Sequence, residues 1–134
     1  MRSHLLMRSV VLGGLLLACA GCGAGGYERY VPPEQVARQA LEAALTAWQN
    51  GKPPGQVEAG PPVVEAVDSK WKAGQKLSKF EILGEDAGGQ GPTFFSVRLT
   101  VKGSARAEVV RYVVVGRDPL WVYREDDYQT GAGM

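Results

Sequence analysis

The sequence predicts an α+β domain, with one N-terminal helix packed on a three- to four-stranded antiparallel sheet. Three observations carry that expectation. Glu34 to Asn50 gathers its apolar side chains on one helical arc, and Thr93 to Lys102 alternates apolar and polar residues in period two. Glu108 to Asp126 holds two runs rich in β-branched and aromatic residues, split by Gly116-Arg117-Asp118-Pro119. A helix and a sheet that are each apolar on one side must bury those sides against each other, which gives two layers.

The helix reads clearly. Val36, Ala37, Ala40, Leu41, Ala43, Ala44, Leu45, Ala47 and Trp48 fill one arc, and Arg38, Gln39, Glu42, Thr46, Gln49 and Asn50 fill the other. Pro32-Pro33 suits a helix start, where a missing N–H costs nothing, and Asn50-Gly51 followed by Pro53-Pro54 supplies the stop. Glu34 and Arg38 stand at i,i+4 in the favourable order. A membrane-surface helix would show more positive charge; this polar arc holds one arginine and no lysine. Packing against a sheet is the better assignment, and the small alanines allow a close approach.

Beyond the helix, Gln56 to Pro62 reads as a Pro/Gly loop. Val63 to Val67 fits either a short strand or part of a second helix. Lys79 to Leu83 reads as a strand with Phe80 and Ile82 on one face, and Gly88 to Pro92 as a loop. In Thr93 to Lys102, Phe95, Val97, Leu99 and Val101 point one way and Ser96, Arg98, Thr100 and Lys102 the other. Gly103-Ser104 then turns the chain into the Glu108–Asp126 hairpin. The domain therefore spans residues 34–128, and 129–134 form a disordered tail. This order resembles the cystatin-like and NTF2-like class in topology, a likeness from which no function follows.

Residues 1–22, MRSHLLMRSVVLGGLLLACAGC, form a separate segment. Basic Arg2 and Arg8 precede an apolar run from Val10 to Ala18, shorter than the roughly 20 residues of a permanent span and matching a signal peptide. Leu16-Leu17-Ala18-Cys19 places leucine three residues before a cysteine, while Cys19-Ala20-Gly21-Cys22 places two small residues before the next. These residues resemble the lipobox of bacterial lipoproteins. The resemblance implies cleavage before Cys19, or alternatively Cys22, and lipidation of that thiol. A start at Met7 rather than Met1 favours Cys22. Residues 23–33, opening Gly23-Ala24-Gly25-Gly26, then act as a flexible tether. The implied location is the cell membrane or the outer membrane, lipid-anchored, with the domain on the periplasmic or extracellular side.

The chemistry is bounded by absences. The sole histidine, His4, and both cysteines precede the tether, which leaves the domain without Ser-His-Asp or Cys-His nucleophile systems and without Cys/His zinc ligands. No phosphate-binding or dinucleotide glycine motif is present, so no cofactor is expected. Beyond residue 22 there are 13 basic and 14 acidic side chains, a balance that disfavours nucleic-acid binding. Glu125-Asp126-Asp127 is the densest acidic group, but its spacing matches no calcium loop, and no metal is expected.

Aromatic residues remain as binding candidates. Trp48, Trp71, Trp121, Tyr112 and Tyr123 serve either as core or as stacking surfaces. Trp71 stands out because Ser69-Lys70-Trp71-Lys72 has no periodicity to bury it, and Lys70, Lys72, Lys76 and Lys79 surround it with positive charge. The candidate binding residues are thus Trp71, Trp121, Tyr123, Lys70 and Lys72. The expected function is that of a non-catalytic, membrane-anchored envelope protein binding a partner or small ligand. Two alternatives stand beside it: an accessory subunit of an envelope or secretion complex, and an NTF2-like enzyme without a histidine.

Overall fold

The computed structural model describes residues 30–86 and 91–132. The expected signal segment, both cysteines and the glycines of the expected tether lie outside these residues. Helix α1 (Glu34–Gln49) is followed by β1 (Gly55–Glu58), β2 (Val64–Val67), a short α2 (Ser69–Lys72), β3 (Leu77–Asp86), β4 (Phe94–Val101), β5 (Glu108–Gly116), β6 (Leu120–Arg124) and α3 (Glu125–Asp127). The fold is α+β, with α1 laid on one face of a single sheet. None of the described helices is long and apolar enough to cross a membrane.

The sheet is larger than the sequence suggested. Six strands lie in the order β1-β2-β6-β5-β4-β3, and β2 runs parallel to β6 while all other pairs are antiparallel. The expectation of three or four antiparallel strands is therefore corrected to six in a mixed sheet. The two added strands are the four-residue β1 and β2. A segment that short offers two alternations at most, so the Gln56–Pro62 stretch read as a loop and Val63–Val67 as undecided. Tertiary pairing makes them strands: Val64 to Val67 align with Leu120 to Tyr123, and the Val63 N–H donates to Asp118 Oδ1 at 2.9 Å. The chain after Asp127 continues through a π-helical turn, Tyr128–Ala132, where a tail was expected.

Helix α1 ends in a Schellman motif. The Gly51 N–H donates to Trp48 O and the Lys52 N–H to Ala47 O, with Gly51 at φ 84° supplying the left-handed residue. Its buried side consists of Ala37, Ala40, Leu41, Ala44, Leu45, Ala47 and Trp48, and meets Phe95, Val97, Leu99, Tyr112, Val114, Leu120 and Val122 from the sheet. Four alanines on that side remove bulk where helix and sheet approach most closely. Strand β5 is central, and Tyr112 to Gly116 are buried on both faces of the sheet, which explains the unbroken valine run. Val113 pairs with Phe94 and Tyr123, and Val115 with Trp121, on the face opposite the helix.

The β5–β6 connection depends on Gly116. Its φ is 98°, and a Cβ there would lie 2.6 Å from the Pro119 carbonyl oxygen. Gly51 has a similar φ but open space around it. Gly116→Ala is therefore expected to destabilise clearly more than Gly51→Ala, which carries only the left-handed penalty of about 1–2 kcal/mol. Urea midpoints of the two variants measure the difference; equal losses would show that the turn relaxes freely.

Candidate functional site

The sheet and α2 converge on a buried polar cluster. Asp68 leaves β2 with an extended backbone, and its carboxylate caps α2 by accepting from the Lys70 and Trp71 N–H groups at 2.9 and 3.2 Å. The same Oδ1 accepts from Arg124 Nε at 2.8 Å, and Oδ2 accepts from the Tyr112 hydroxyl at 2.5 Å. Side chains of Arg124 and Asp68 are only 5% and 3% exposed, so this ion pair is removed from water. Burial, reinforced by the Asp68 charge, holds the Tyr112 phenol well above its usual range, while the Arg124 charge acts in the opposite direction. The phenol stays protonated and serves as a donor.

Strand phase explains how an arginine came to be inside. Leu120, Val122 and Arg124 are all buried, whereas Trp121 and Tyr123 are half-buried on the other face. The sequence reading passed over Asp68, Tyr112 and Arg124 as a cluster. Two signals were present: aspartate directly before Ser69-Lys70-Trp71, in capping position, and arginine in phase with two core residues. Their meeting across 44 and 56 residues of sequence had no local signature.

Trp71 is placed differently from the expectation of an open stacking surface. It is 6% exposed, its indole stacks on Trp48 at 5.4 Å and 14°, and its Nε1–H donates to Lys52 O at 2.8 Å. Helix α2 is a single turn, too short for any periodicity to reveal a buried side. Lys70 and Lys72 flank Trp71 and stay exposed. Trp121 and Tyr123 lie together on the sheet face away from α1, stacked at 6.1 Å and 22°, and Tyr128 tilts against Tyr123 at 5.4 Å. On the same face Arg111 covers the Phe94 ring at 4.4 Å and reaches Glu125 at 3.3 Å. The tryptophans, tyrosine and lysines of the candidate set thus occupy two regions: Trp121 and Tyr123 on the open sheet face, and Trp71, Lys70 and Lys72 at α2.

Two recesses adjoin α2. One, of about 440 Å³, is lined by residues that include Ala66, Val67, Asp68, Ser69, Lys72 and Asp127. The polar groups around it are largely engaged: Asp68 by the cluster above, and Asp127 by the Ser69 N–H at 2.8 Å. The second, of about 290 Å³, lies over Trp48 and Trp71 and is lined by Lys52, Lys72 and Lys76. Among the described residues no group of three His, Cys, Asp or Glu side chains is arranged to hold a metal ion. Glu125, Asp126 and Asp127 form α3, and Glu125 is engaged by Arg111 and Asp127 by Ser69. Comparison with family models, curated proteins and solved structures finds no match for this chain.

The cluster makes separable predictions. Arg124→Met leaves the Asp68 charge buried and uncompensated and is expected to cost about 3–5 kcal/mol, against about 1–3 kcal/mol for Tyr112→Phe, which removes one donor. A raised phenol pKa also sets a sign. The unfolded chain loses this proton as pH passes about 10 while the folded one keeps it, so the stabilisation is complete below that pH and falls as pH rises towards the folded value. Urea midpoints from about pH 8 to about pH 11 should fall less steeply in Tyr112→Phe than in wild type. Identical slopes would place the phenol in contact with water.

Proposed function

We propose that this chain is a membrane-tethered cell-envelope lipoprotein whose α+β domain binds a partner or ligand without catalysing a reaction. The observation that carries the reading is the pair of lipobox-like sequences ending at Cys19 and Cys22, followed at once by Gly23-Ala24-Gly25-Gly26. The folded domain follows within a few residues, with Tyr30 O accepting the Gly116 N–H at 2.7 Å. Each lipid CH₂ buried adds about 0.8 kcal/mol, so an acylated cysteine there holds the domain at the membrane surface.

Support for the non-catalytic role comes from how the polar groups are used. Asp68 borders the larger recess, yet its oxygens accept four internal hydrogen bonds, from Lys70, Trp71, Arg124 and Tyr112. A carboxylate so engaged has little capacity left to move a substrate proton. The half-buried aromatics Trp121 and Tyr123, on a sheet face that α1 does not cover, support docking and keep the accessory-subunit alternative in view. The likeness to the cystatin-like and NTF2-like class is supported by a helix laid across a sheet whose β3–β6 strands form an antiparallel meander; the parallel β2–β6 pair adds to that plan.

Metabolic labelling with an alkyne fatty acid tests the anchor directly. Label in wild type, lost in Cys19→Ala or in Cys22→Ala but not in both, is the expected result and identifies the modified thiol. An unlabelled wild-type protein would sink the tether.

A further inference from the structure

All six lysines of the chain sit at one end of the domain. Lys52 follows the closing turn of α1, Lys70 and Lys72 stand on α2, Lys76 leads into β3, Lys79 lies near the start of β3, and Lys102 follows β4. Each is exposed, and none forms an ion pair among the described residues. Four of the six described arginines behave otherwise. Arg38, Arg98, Arg111 and Arg124 each meet a carboxylate, whereas Arg117 covers the Tyr30 ring and Arg106, in the β4–β5 connection, adds its charge beside Lys102.

Backbone geometry gathers the lysines. Schellman turns at Gly51 and Gly74 reverse the chain after α1 and α2, with Lys52 donating to Ala47 O and Gln75 to Lys70 O. The Trp71 indole N–H holds Lys52 O, and the Lys102 N–H donates to Lys76 O at 2.8 Å. Lys52, Lys72 and Lys76 thereby wall the 290 Å³ recess over the Trp48–Trp71 pair. Carboxylates share this end, Glu108 at the start of β5 and Glu125, Asp126 and Asp127 in α3, but Glu125 pairs with Arg111 and Asp127 accepts from the Ser69 N–H, so the lysines stay in excess and a bound anion would relieve their mutual repulsion.

The tether joins the opposite end. Tyr30 is fixed at Gly116, where β5 finishes, whereas Lys76 and Lys102 lie where β3 begins and β4 finishes. Strand β3 has ten residues, a length of roughly 33 Å. Tyr30 stands eight positions after Cys22 and eleven after Cys19, which for a glycine-rich chain gives a mean span of about 15–20 Å. The lysines therefore face away from the anchoring membrane. The tether end carries Glu34, Glu58, Glu85 and Asp118 beside Arg38 and Arg117, and a hydrogen bond with Glu85, followed by the Glu85 charge, raises the Glu34 carboxyl pKa. Such an end offers an anionic leaflet no excess of positive charge.

We propose that the lysine end binds a linear polyanion, a polymer of repeated phosphate or carboxylate groups, on the side of the domain turned away from the membrane. The outward direction rests on the lipoprotein reading; the binding itself does not. A polymer fits better than a protein surface. Of the exposed large hydrophobics among the described residues, Tyr30 and Val31 lie at the tether and Leu83 in the second half of β3; Val109, at the start of β5, shares the lysine end, and a single valine is a poor anchor for a protein interface. Dispersed ammonium groups without such an anchor bind by neutralising charge and releasing counterions, a mode that favours a flexible chain of anions.

The test uses the full-length protein reconstituted in neutral phosphatidylcholine vesicles and titrated with long-chain polyphosphate, or with poly-L-glutamate, across a range of salt. Binding to either polymer is expected, the preferred one naming the anion, with log K falling by roughly 0.7 per neutralised charge per log unit of salt. The triple variant Lys52→Gln/Lys72→Gln/Lys76→Gln should bind about tenfold or more weakly, with a slope smaller by about 2. Arg117→Gln, a charge removed at the tether end, should change neither. No binding at about 50 mM salt, an unaffected triple variant, or binding to phosphatidylglycerol vesicles in place of both polymers would overturn the proposal. Polymer binding by protein that fails to join the vesicles would refute the tether and leave the lysine site standing.

Discussion

Asp68 is a buried carboxylate on which three parts of the domain close. It caps α2 through Lys70 and Trp71, ties β6 through Arg124 and ties β5 through Tyr112. An ionised carboxylate without partners costs several kcal/mol to bury, and here the cost is offset because both oxygens are filled and a guanidinium lies within 2.8 Å. Such a cluster adds little net stability over a well-packed apolar one. Its value lies in direction: the four donors come from α2, β5 and β6, so the cluster ties the turn after β2 to all three elements.

The remainder of the architecture divides between two sheet faces. Alanine-rich α1 covers one, and the half-buried aromatics Trp121, Tyr123, Tyr128 and Phe94 cover part of the other. Exposed ion pairs such as Arg98–Glu81 lie on the strands themselves, but the lysines collect at one end of the sheet, around α2, the start of β3 and the end of β4. Carboxylates stand at both ends: Glu34, Glu58, Glu85 and Asp118 towards Tyr30 and Gly116, and Glu108, Glu125, Asp126 and Asp127 towards α2. A net charge near zero conceals the one-sided placement of the lysines, because a sum over residues carries no information about position.

How much was legible in the sequence follows from element length and from sequence separation. Helix α1, β4 and the β5–β6 hairpin each hold enough residues for their period to repeat, and each was visible, including the inward set Phe95, Val97 and Leu99. Strands β1 and β2 and helix α2 have four residues each and were missed or left undecided. The conformation of β2 is imposed by Leu120 to Tyr123, more than 50 residues away, β1 then pairs with β2, and α2 is fixed by Asp68 and by the Trp48 ring. Trp71 failed as an open surface for the same reason, since a single turn shows no side to bury. Lys70, Lys72, Lys76 and Lys79 read as a local basic cluster in the sequence; that Lys52 and Lys102 join them is a property of the turn at Gly51 and of the β3–β4 pairing, which no spacing along the chain reveals.

The buried and the open charges are linked through α2. A helix of four residues has no stability of its own, because nucleation fixes several dihedrals for a single hydrogen bond. Here it is held at its start by the Asp68 carboxylate, along its length by the stacking of Trp71 on Trp48, and at its end by Gly74. Lys70 and Lys72 project from this pinned turn, and Lys76 leaves it towards β3. An ion pair sealed from water therefore sets the position of cations left unmatched at the surface. Strengthening the surface charge would not require altering the core, but weakening the Asp68 cluster would release the element that carries the lysines. Substitutions in the Asp68 cluster therefore bear first on Lys70 and Lys72, which α2 carries, and less on Lys52, Lys79 and Lys102, which α1 and the sheet place.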